Sequence, residues 1–355
     1  MDFKMGYFRE NVEKTEGYVP GFQPSSPSVI KLNTNENPYP PSPGVVAAIA
    51  AVQPEQLRRY PDPLGNKFRQ AAAELHGVDQ ENIICVNGGD ELLSMAIRAF
   101  CDSKRSLAYP VPTYTLYPVL AKLDDCPELE IPYDDEFNLP ARLAKTGAAL
   151  TIVCNPNAPS GTLTPVEELA SLADELKGRG VLLIDEAYVD FAPRSCVGLV
   201  KNLGNVVILR TLSKGYSLAG LRFGYGIAHK DIIDGLLKVK DSYNADAIAI
   251  EAATAAIKDQ AYFRANVEKI VAERTRLTSM LRGMGMAVLD SHANFVLAEV
   301  RGATARIVYD QLAAQGIYVR YFHGLGERLR ISVGTREQND RLVAALEQIL
   351  QGCRS

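Results

Sequence analysis

The stretch that decides the fold reads VLLIDEAYVDF at residues 181–191, followed by VVILRTLSKGYSLAGLRFGYGI at 206–227. Each opens as a short run that is apolar on both faces, which suits a central parallel strand covered by helices on either side. Each run also ends on chemistry: Asp185 closes the first, and Ser213 and Lys214 lie just beyond the second. In open α/β sheets, ligands bind outside the carboxyl ends of the strands. Working outward, further strands are expected at NIICV (82–86), SLAY (106–109), ALTIVC (149–154) and FGYGI (223–227). Helical patterns fall near 44–53, 64–76, 90–101, 114–122, 165–178 and 231–239. This alternation predicts a large α/β domain over residues 45–255.

Beyond it lies a long helical stretch over 246–282, with a break expected near Asp259. The character then changes. AVLDSHANFVLAEV (287–300) holds a strand, a helix follows near 303–315, and IYVRYF, RLRISVG and a helix at 337–351 close the chain. That pattern predicts a smaller α+β domain with antiparallel pairing. The expected divisions are an N-terminal arm with part of the small domain (1–44), the large domain (45–255), a connecting helix (256–282) and the small domain (283–355). The arm is aperiodic and rich in Pro, Asn and Tyr, so it needs a surface to lie on.

Composition narrows the function. The chain has 355 residues, 47% hydrophobic and 23% charged, which supports a large core and argues against disorder. A formal charge of -4 without any Lys/Arg block makes nucleic acid a poor partner. No apolar run approaches the length of a membrane span. The first residues, MDFKMGYFRENVEKTEGYVP, lack the apolar core of a signal peptide, so a cytoplasmic setting is expected. Six scattered cysteines without a C-x-x-C pair read as reduced structural thiols. With four histidines and no H-E-x-x-H, no metal site is expected.

Several strand-end loops carry candidate chemistry. Lys214 is flanked by Ser213 and Gly215, with Arg222 eight residues on. A lone lysine after a strand is ordinarily a surface residue, but small neighbours imply close packing. Asp185 would be costly at a buried strand end without a partner. A helix cap is the bland alternative; a magnesium ligand fails because no G-x-x-x-x-G-K-[ST] occurs. Gly88 and Gly89 precede Asp90 at a helix start, an arrangement that can cradle phosphate. CNPNAPSG (154–161) adds amides, and Tyr114 in PVPTYTLY (110–117) offers a ring platform. Lysine, acid, anion cradle and aromatic together are what a pyridoxal phosphate site needs.

Taken with GYVPG (17–21), LNTNENP (32–38), RYPDP (59–63), LRTLSKGYSLAGLRFGY (209–225) and LRISVGT (329–335), the chain resembles the fold-type I pyridoxal-phosphate-dependent aminotransferases. Within them it is similar to the class II-like histidinol-phosphate aminotransferase family. The resemblance runs from the arm to the last helix. It implies a large, mostly parallel seven-stranded sheet domain with a smaller α+β domain, and a homodimer. It also implies a reversible ping-pong transamination in histidine biosynthesis. The exchange would run between L-histidinol phosphate and imidazole-acetol phosphate, coupled to 2-oxoglutarate and L-glutamate. Aromatic-amino-acid aminotransferase and threonine-phosphate decarboxylase stand as alternative activities on the same scaffold.

Residue by residue, the resemblance makes Lys214 the lysine that holds the cofactor and shuttles the proton, Asp185 the partner of its ring nitrogen, and Tyr188 a donor to its 3′-oxygen. Tyr114 would stack on the ring. Gly89, Asp90, Ser213 and Arg222 would hold the phosphate, with Tyr60 reaching in from the other subunit. Arg330 would bind the α-carboxylate, with Arg320, Tyr18 and Asn33 around the substrate. The chain departs from the family in one place: Ala158 stands where an asparagine usually bonds the 3′-oxygen. Either Asn157, one residue earlier, supplies the amide, or Tyr188 carries the interaction alone; Asn157 is the favoured substitute.

Overall fold

A computed structural model describes residues 6–24 and 29–354. The arm's residues 1–5 and 25–28 lie outside them. The arm contributes one short strand, β1 (Ile30–Lys31). Seven strands then build the principal sheet: β2 (Ile83–Val86), β3 (Leu107–Val111), β4 (Glu128–Pro132), β5 (Leu150–Cys154), β6 (Val181–Asp185), β7 (Val206–Thr211) and β8 (Gly224–Ala228). Their spatial order is β2-β8-β7-β6-β5-β3-β4. All neighbours are parallel except β8, which runs antiparallel to both β2 and β7.

The six strand readings from sequence correspond to β2, β3, β5, β6, β7 and β8. The seventh, β4, was not read locally because ELEIP carries two acids and a proline and buries one residue. Such a strand is tolerated only at an edge. Along the buried strands, alternate residues feed two separate cores. Ile83, Val153, Ile184 and Ile208 face one helical layer. Ile84, Ile152, Leu183 and Val207 face the other. This two-sided burial is why those strands read as continuous apolar runs.

The chain leaves β3 outward to β4 and returns on the other side of β3 to form β5. The order of strands reverses there, and a crevice opens outside the carboxyl ends of β3 and β5. Past those ends, Thr113, Tyr114 and Ala158 line it, together with Asp185 at the end of β6 and Thr211 at the end of β7.

The smaller unit contains β9 (Ala287–Val288), β10 (Phe295–Glu299), β11 (Ile317–Tyr318), β12 (Arg320–Tyr321) and β13 (Arg328–Ser332). Strands β12-β13-β10-β9 form an antiparallel sheet, while β11 pairs in parallel with β1. Through that pairing Ile30 and Leu32 join the apolar core under the small sheet. The arm is thereby tied to the strand region that carries Arg320 and Arg330.

The long helical stretch divides at Asp259 into helices Ala247–Lys258 and Gln260–Gly283. Asp259 leaves helical backbone (φ -91°, ψ 63°), and its carboxylate accepts the Tyr262 N–H as an N-cap. The Ser42 hydroxyl donates to the same carboxylate while capping helix Pro43–Ala50. One side chain therefore joins the starts of two helices that flank the large domain. Asp259→Ala should lower stability by about 1–2 kcal/mol, as N-cap losses do. Asp259→Asn, which keeps an acceptor, should recover most of it. Thermal unfolding of the three proteins at equal concentration checks this; an unchanged midpoint for Asp259→Ala would remove the capping role.

Candidate active site

A cavity of about 330 Å³ opens at the carboxyl ends of the central strands. Its wall gathers Gly89, Asp90, Tyr114, Asp185, Tyr188, Ser213, Lys214 and Arg222 from the large domain. Tyr18, Asn33, Arg320 and Arg330 line it from the arm and small domain. Residues more than 300 positions apart in sequence thus share one surface, as with Tyr18 and Arg330.

Asp185 is the last residue of β6, lies in register between Cys154 and Leu209 on the neighbouring strands, and is 3% exposed. Burial raises its carboxyl to about 6, against the pull of two donors. Those donors are the Tyr117 hydroxyl at 2.7 Å and the Ala187 N–H at 3.1 Å. Among the described residues Asp185 makes no ion pair. A buried carboxylate with neutral partners suits a cationic group arriving from the cavity.

Lys214 follows β7 and points its ammonium into the same space. Burial, then the positive charge of Arg330, lowers it to about 8. Its Nζ donates to the Thr34 carbonyl at 3.2 Å and lies 5.7 Å from the Tyr188 ring centre. The loop bearing it is held from below. Arg210 on β7 is buried and pairs with Glu186 at 3.4 Å and Asp190 at 2.6 Å. Asp190 in turn accepts the Gly215 N–H. A Cβ on Gly215 would fall 2.3 Å from Asp190 Oδ2, so glycine is required for that approach.

The anion cradle forms where helix Gly89–Phe100 begins. Gly88 takes a left-handed backbone (φ 77°), and a Cβ there would come within 2.6 Å of Arg222 Nη2. The missing side chain lets the guanidinium lie against the helix start. Arg222 itself holds a left-handed φ of 55°, a strained state for a non-glycine residue. It pairs with Asp90 at 3.2 Å. N–H groups at the helix start, one guanidinium and the Ser213 hydroxyl together could hold a phosphate.

On the opposite wall, Arg330 stacks on Phe295 and Phe322, each ring centre 5.2 Å away. Nη2 donates to the Asn33 carbonyl at 3.1 Å, but the buried Nε has no partner among the described residues. Arg320 lies over Phe322 at 5.3 Å and donates to Val19 O at 3.4 Å. Burial lowers Arg330, and the charge of Arg320 adds to that. Two guanidinium groups with free donors, one orphaned in the interior, describe an acceptor for oxyanions.

Tyr114 contacts Tyr18 edge-on at 5.8 Å and donates to Asp90 at 3.2 Å. Asn33 is buried and donates to Phe22 O at 2.7 Å. Two sequence-predicted residues are not brought into the cavity. Tyr60 is 80% exposed and stacked on Tyr243 at 4.3 Å. Asn157 is buried, but its amide is fully engaged elsewhere. Nδ2 donates to Pro112 O and Ser160 Oγ, and Oδ1 accepts from Thr113 at 2.8 Å. The expectation that Asn157 replaces the missing amide is therefore corrected: those bonds brace the loops after β3 and β5. Ala158 does line the cavity and presents only a methyl group.

Sequence reading passed over Asn35, Tyr117 and Thr34. Asn35 donates from Nδ2 to the Tyr188 hydroxyl at 3.1 Å. Asn35 stands within LNTNENP, where the motif alone did not distinguish it from Asn33. The Tyr117 contact spans 68 residues and has no local signature.

The residues fit pyridoxal phosphate. Asp185 lacks a cation, Lys214 is a buried amine, and the Gly88 cradle would be filled by any Cβ. Comparison with known proteins agrees. Residues 27–346 match the family described as aminotransferase class I and II. A histidinol-phosphate aminotransferase 1 from Trichormus variabilis is 51% identical over 97% of this chain and 99% of that protein. A histidinol-phosphate aminotransferase from Syntrophotalea carbinolica is 42% identical over 97% of this chain and all of that one. The crystal structure of histidinol-phosphate aminotransferase from Sinorhizobium meliloti in complex with pyridoxal-5'-phosphate superposes with a TM-score of 0.89. It is 26% identical and covers 98% of each chain. At such identity over nearly its whole length, this chain belongs to the histidinol-phosphate aminotransferases, fold-type I enzymes that depend on pyridoxal phosphate.

Proposed function

We propose that the chain carries out reversible transamination between L-histidinol phosphate and imidazole-acetol phosphate, with L-glutamate and 2-oxoglutarate as the coupled pair, in L-histidine biosynthesis. The observation that carries this reading is the placement of two guanidinium groups across one cavity from a buried amine and a buried acid. Histidinol phosphate brings a distal phosphate and no α-carboxylate, whereas glutamate brings two carboxylates. Arg330 and Arg320 can fork onto either oxyanion, which lets one pocket serve both partners.

Pyridoxal phosphate, when bound, supplies the electron sink that stabilises negative charge at the substrate's Cα. Lys214 would hold it and, once released as a neutral amine, move the proton at Cα. Asp185 would hold the proton on the ring nitrogen. Gly89, Asp90, Ser213 and Arg222 would bind the phosphate, Tyr114 would cover one face, and Tyr188 would donate to the 3′-oxygen. Tyr18 and Asn33 would border the substrate. Amine donors assayed against 2-oxoglutarate test the reading directly. Histidinol phosphate should exceed phenylalanine, tyrosine and threonine phosphate in kcat/KM. A preference for an aromatic donor, or release of carbon dioxide from threonine phosphate, would overturn it.

The charge at Asp185 gives a second test. Asp185→Asn preserves shape and the Tyr117 contact but cannot hold a cationic ring nitrogen. Turnover should fall about 10²-fold or more, comparable to losing a preorganised charge. Activity within twofold of the parent protein would make this acid structural.

The reading further includes a cytoplasmic homodimer, with domains divided at residues 45, 256 and 283. Tyr60 would complete the partner's phosphate site, which its exposure on this chain supports. Unpaired thiols at Cys85, Cys101, Cys126, Cys154, Cys196 and Cys353 suit a reducing compartment. No described helix is long and apolar enough to cross a membrane. A two-fold dimer would make the Tyr60 exchange reciprocal. Mixing Tyr60→Phe with Lys214→Ala subunits should therefore restore activity well above the sum of the separate proteins, because each heterodimer regains one intact site. Purely additive activity after verified subunit exchange would return Tyr60 to its own subunit.

A further inference from the structure

Asn35 is 1% exposed and holds a left-handed backbone, φ 58°. Its amide lies between two hydroxyls, Tyr188 at 3.1 Å and Ser332 at 3.0 Å. The proton inventory decides which end faces which. Ser332 Oγ already accepts the Asn35 backbone N–H at 2.9 Å. Among the described residues, its own hydrogen has one acceptor, Asn35 Oδ1. Rotating the amide would set an NH₂ group against that O–H and leave a buried hydroxyl hydrogen without an acceptor, an unfavourable exchange. Oδ1 therefore faces Ser332, and Nδ2 donates to Tyr188. The backbone is fixed as well, since Asn294 Nδ2 donates to the Asn35 carbonyl at 2.8 Å.

The consequence falls on Tyr188. Its oxygen receives an N–H from Asn35, and its own hydrogen has no acceptor among the described residues. The alternative amide orientation would take that hydrogen for Asn35 Oδ1. The other titratable groups acting on this phenol include Arg330, Cys154, Asp185 and Tyr114, with Lys214 over the ring. Among the described residues, none of these side chains bonds its oxygen. Ala158, lining the same cavity, offers no donor.

We propose that Asn35, pinned by Ser332, is a positioning residue that turns the Tyr188 hydroxyl hydrogen into the cavity and strengthens it as a donor to a bound anionic oxygen. The proposal rests on the reading of Tyr188 as the donor to the cofactor's 3′-oxygen. A phenol that accepts an N–H parts more readily with its own hydrogen, so donation outward is reinforced. The same bond joins the large domain to the strand that carries Arg330, because Ser332 and Arg330 both lie on β13.

The test follows the absorbance of the bound cofactor in the holoenzyme against pH, with cofactor affinity measured by dialysis alongside. Donation to the 3′-oxygen favours its ionised form and lowers the midpoint, so losing the donation raises it. Asn35→Ala should raise the midpoint by about 0.3–1 unit, the range expected for one hydrogen bond. Asn35→Asp should raise it further, because a carboxylate draws the phenolic hydrogen to itself. Asn35→Gly accommodates the left-handed backbone and should repeat the alanine result if that variant folds poorly. In a Tyr188→Phe background, Asn35→Ala and Asn35→Gly should have no further effect. An unchanged midpoint in Asn35→Ala and Asn35→Gly, while Tyr188→Phe shifts it, would overturn the proposal and leave the Tyr188 reading standing. Equal shifts with and without the phenol would overturn it too. No shift in Tyr188→Phe itself would remove the Tyr188 reading, and this proposal with it.

Discussion

A carboxylate buried at the tip of a central strand, without a cation of its own, is the constraint around which this structure is arranged. Asp185 is enclosed by the sheet, yet its two donors are a neutral hydroxyl and a backbone amide. Burial alone would drive such a group toward its neutral form, and it is raised to about 6. Those two donors restrain the shift while leaving room for a positive charge from the cavity. The crevice where strand order reverses brings that charge within reach, because β5 and β6 end level with each other at Cys154 and Asp185. Lys214, the helix start at Gly89 and the loop after β5 all inherit their placement from that geometry.

The lysine loop depends on a second buried set of charges. Arg210 faces the core on β7, where an isolated guanidinium would be strongly disfavoured, but Glu186 and Asp190 answer it. Both acids stand close to Asp185 in sequence, so one short segment supplies the strand-tip acid of the cavity and the braces beneath the lysine. Removing one member would leave an uncompensated buried charge, the costly half of such a pair. We read the network as a means of holding Gly215, and hence Lys214, at a set height above the sheet. A conformationally strained Arg222 at the other end of the same loop completes the frame.

The wall that carries the two arginines has a different origin. Arg320 and Arg330 belong to a small antiparallel sheet that is joined to the arm through β1 and β11. The arm passes Asn33, Thr34 and Asn35 across the cavity, and each meets a different wall. Asn33 O accepts from Arg330, Thr34 O from Lys214, and Asn35 donates to Tyr188. Three consecutive residues thus link the oxyanion pocket to the amine and the phenol. The aromatic faces of Phe295 and Phe322 keep Arg330 in place while leaving its Nε open.

What the sequence determined by itself was whatever a contiguous signal can carry. Two-sided apolar runs announced the buried parallel strands, and a polar residue ending each run marked Asp185 and Lys214 as strand-tip groups. The break at Asp259 was legible because a capping acid interrupts a helical period. The edge strand β4 was not, since an edge need bury only one side and ELEIP lacks the apolar run. Tertiary structure alone decided that Asn35, 153 residues from Tyr188 and 297 from Ser332, bonds the phenol, and that the Asn157 amide is engaged with Pro112, Ser160 and Thr113. It also decided that Arg210 is buried among acids rather than exposed at a strand end. Hydrogen bonds of this kind depend on where two distant backbones meet and on which protons remain unclaimed there, and no local pattern of residue types records either.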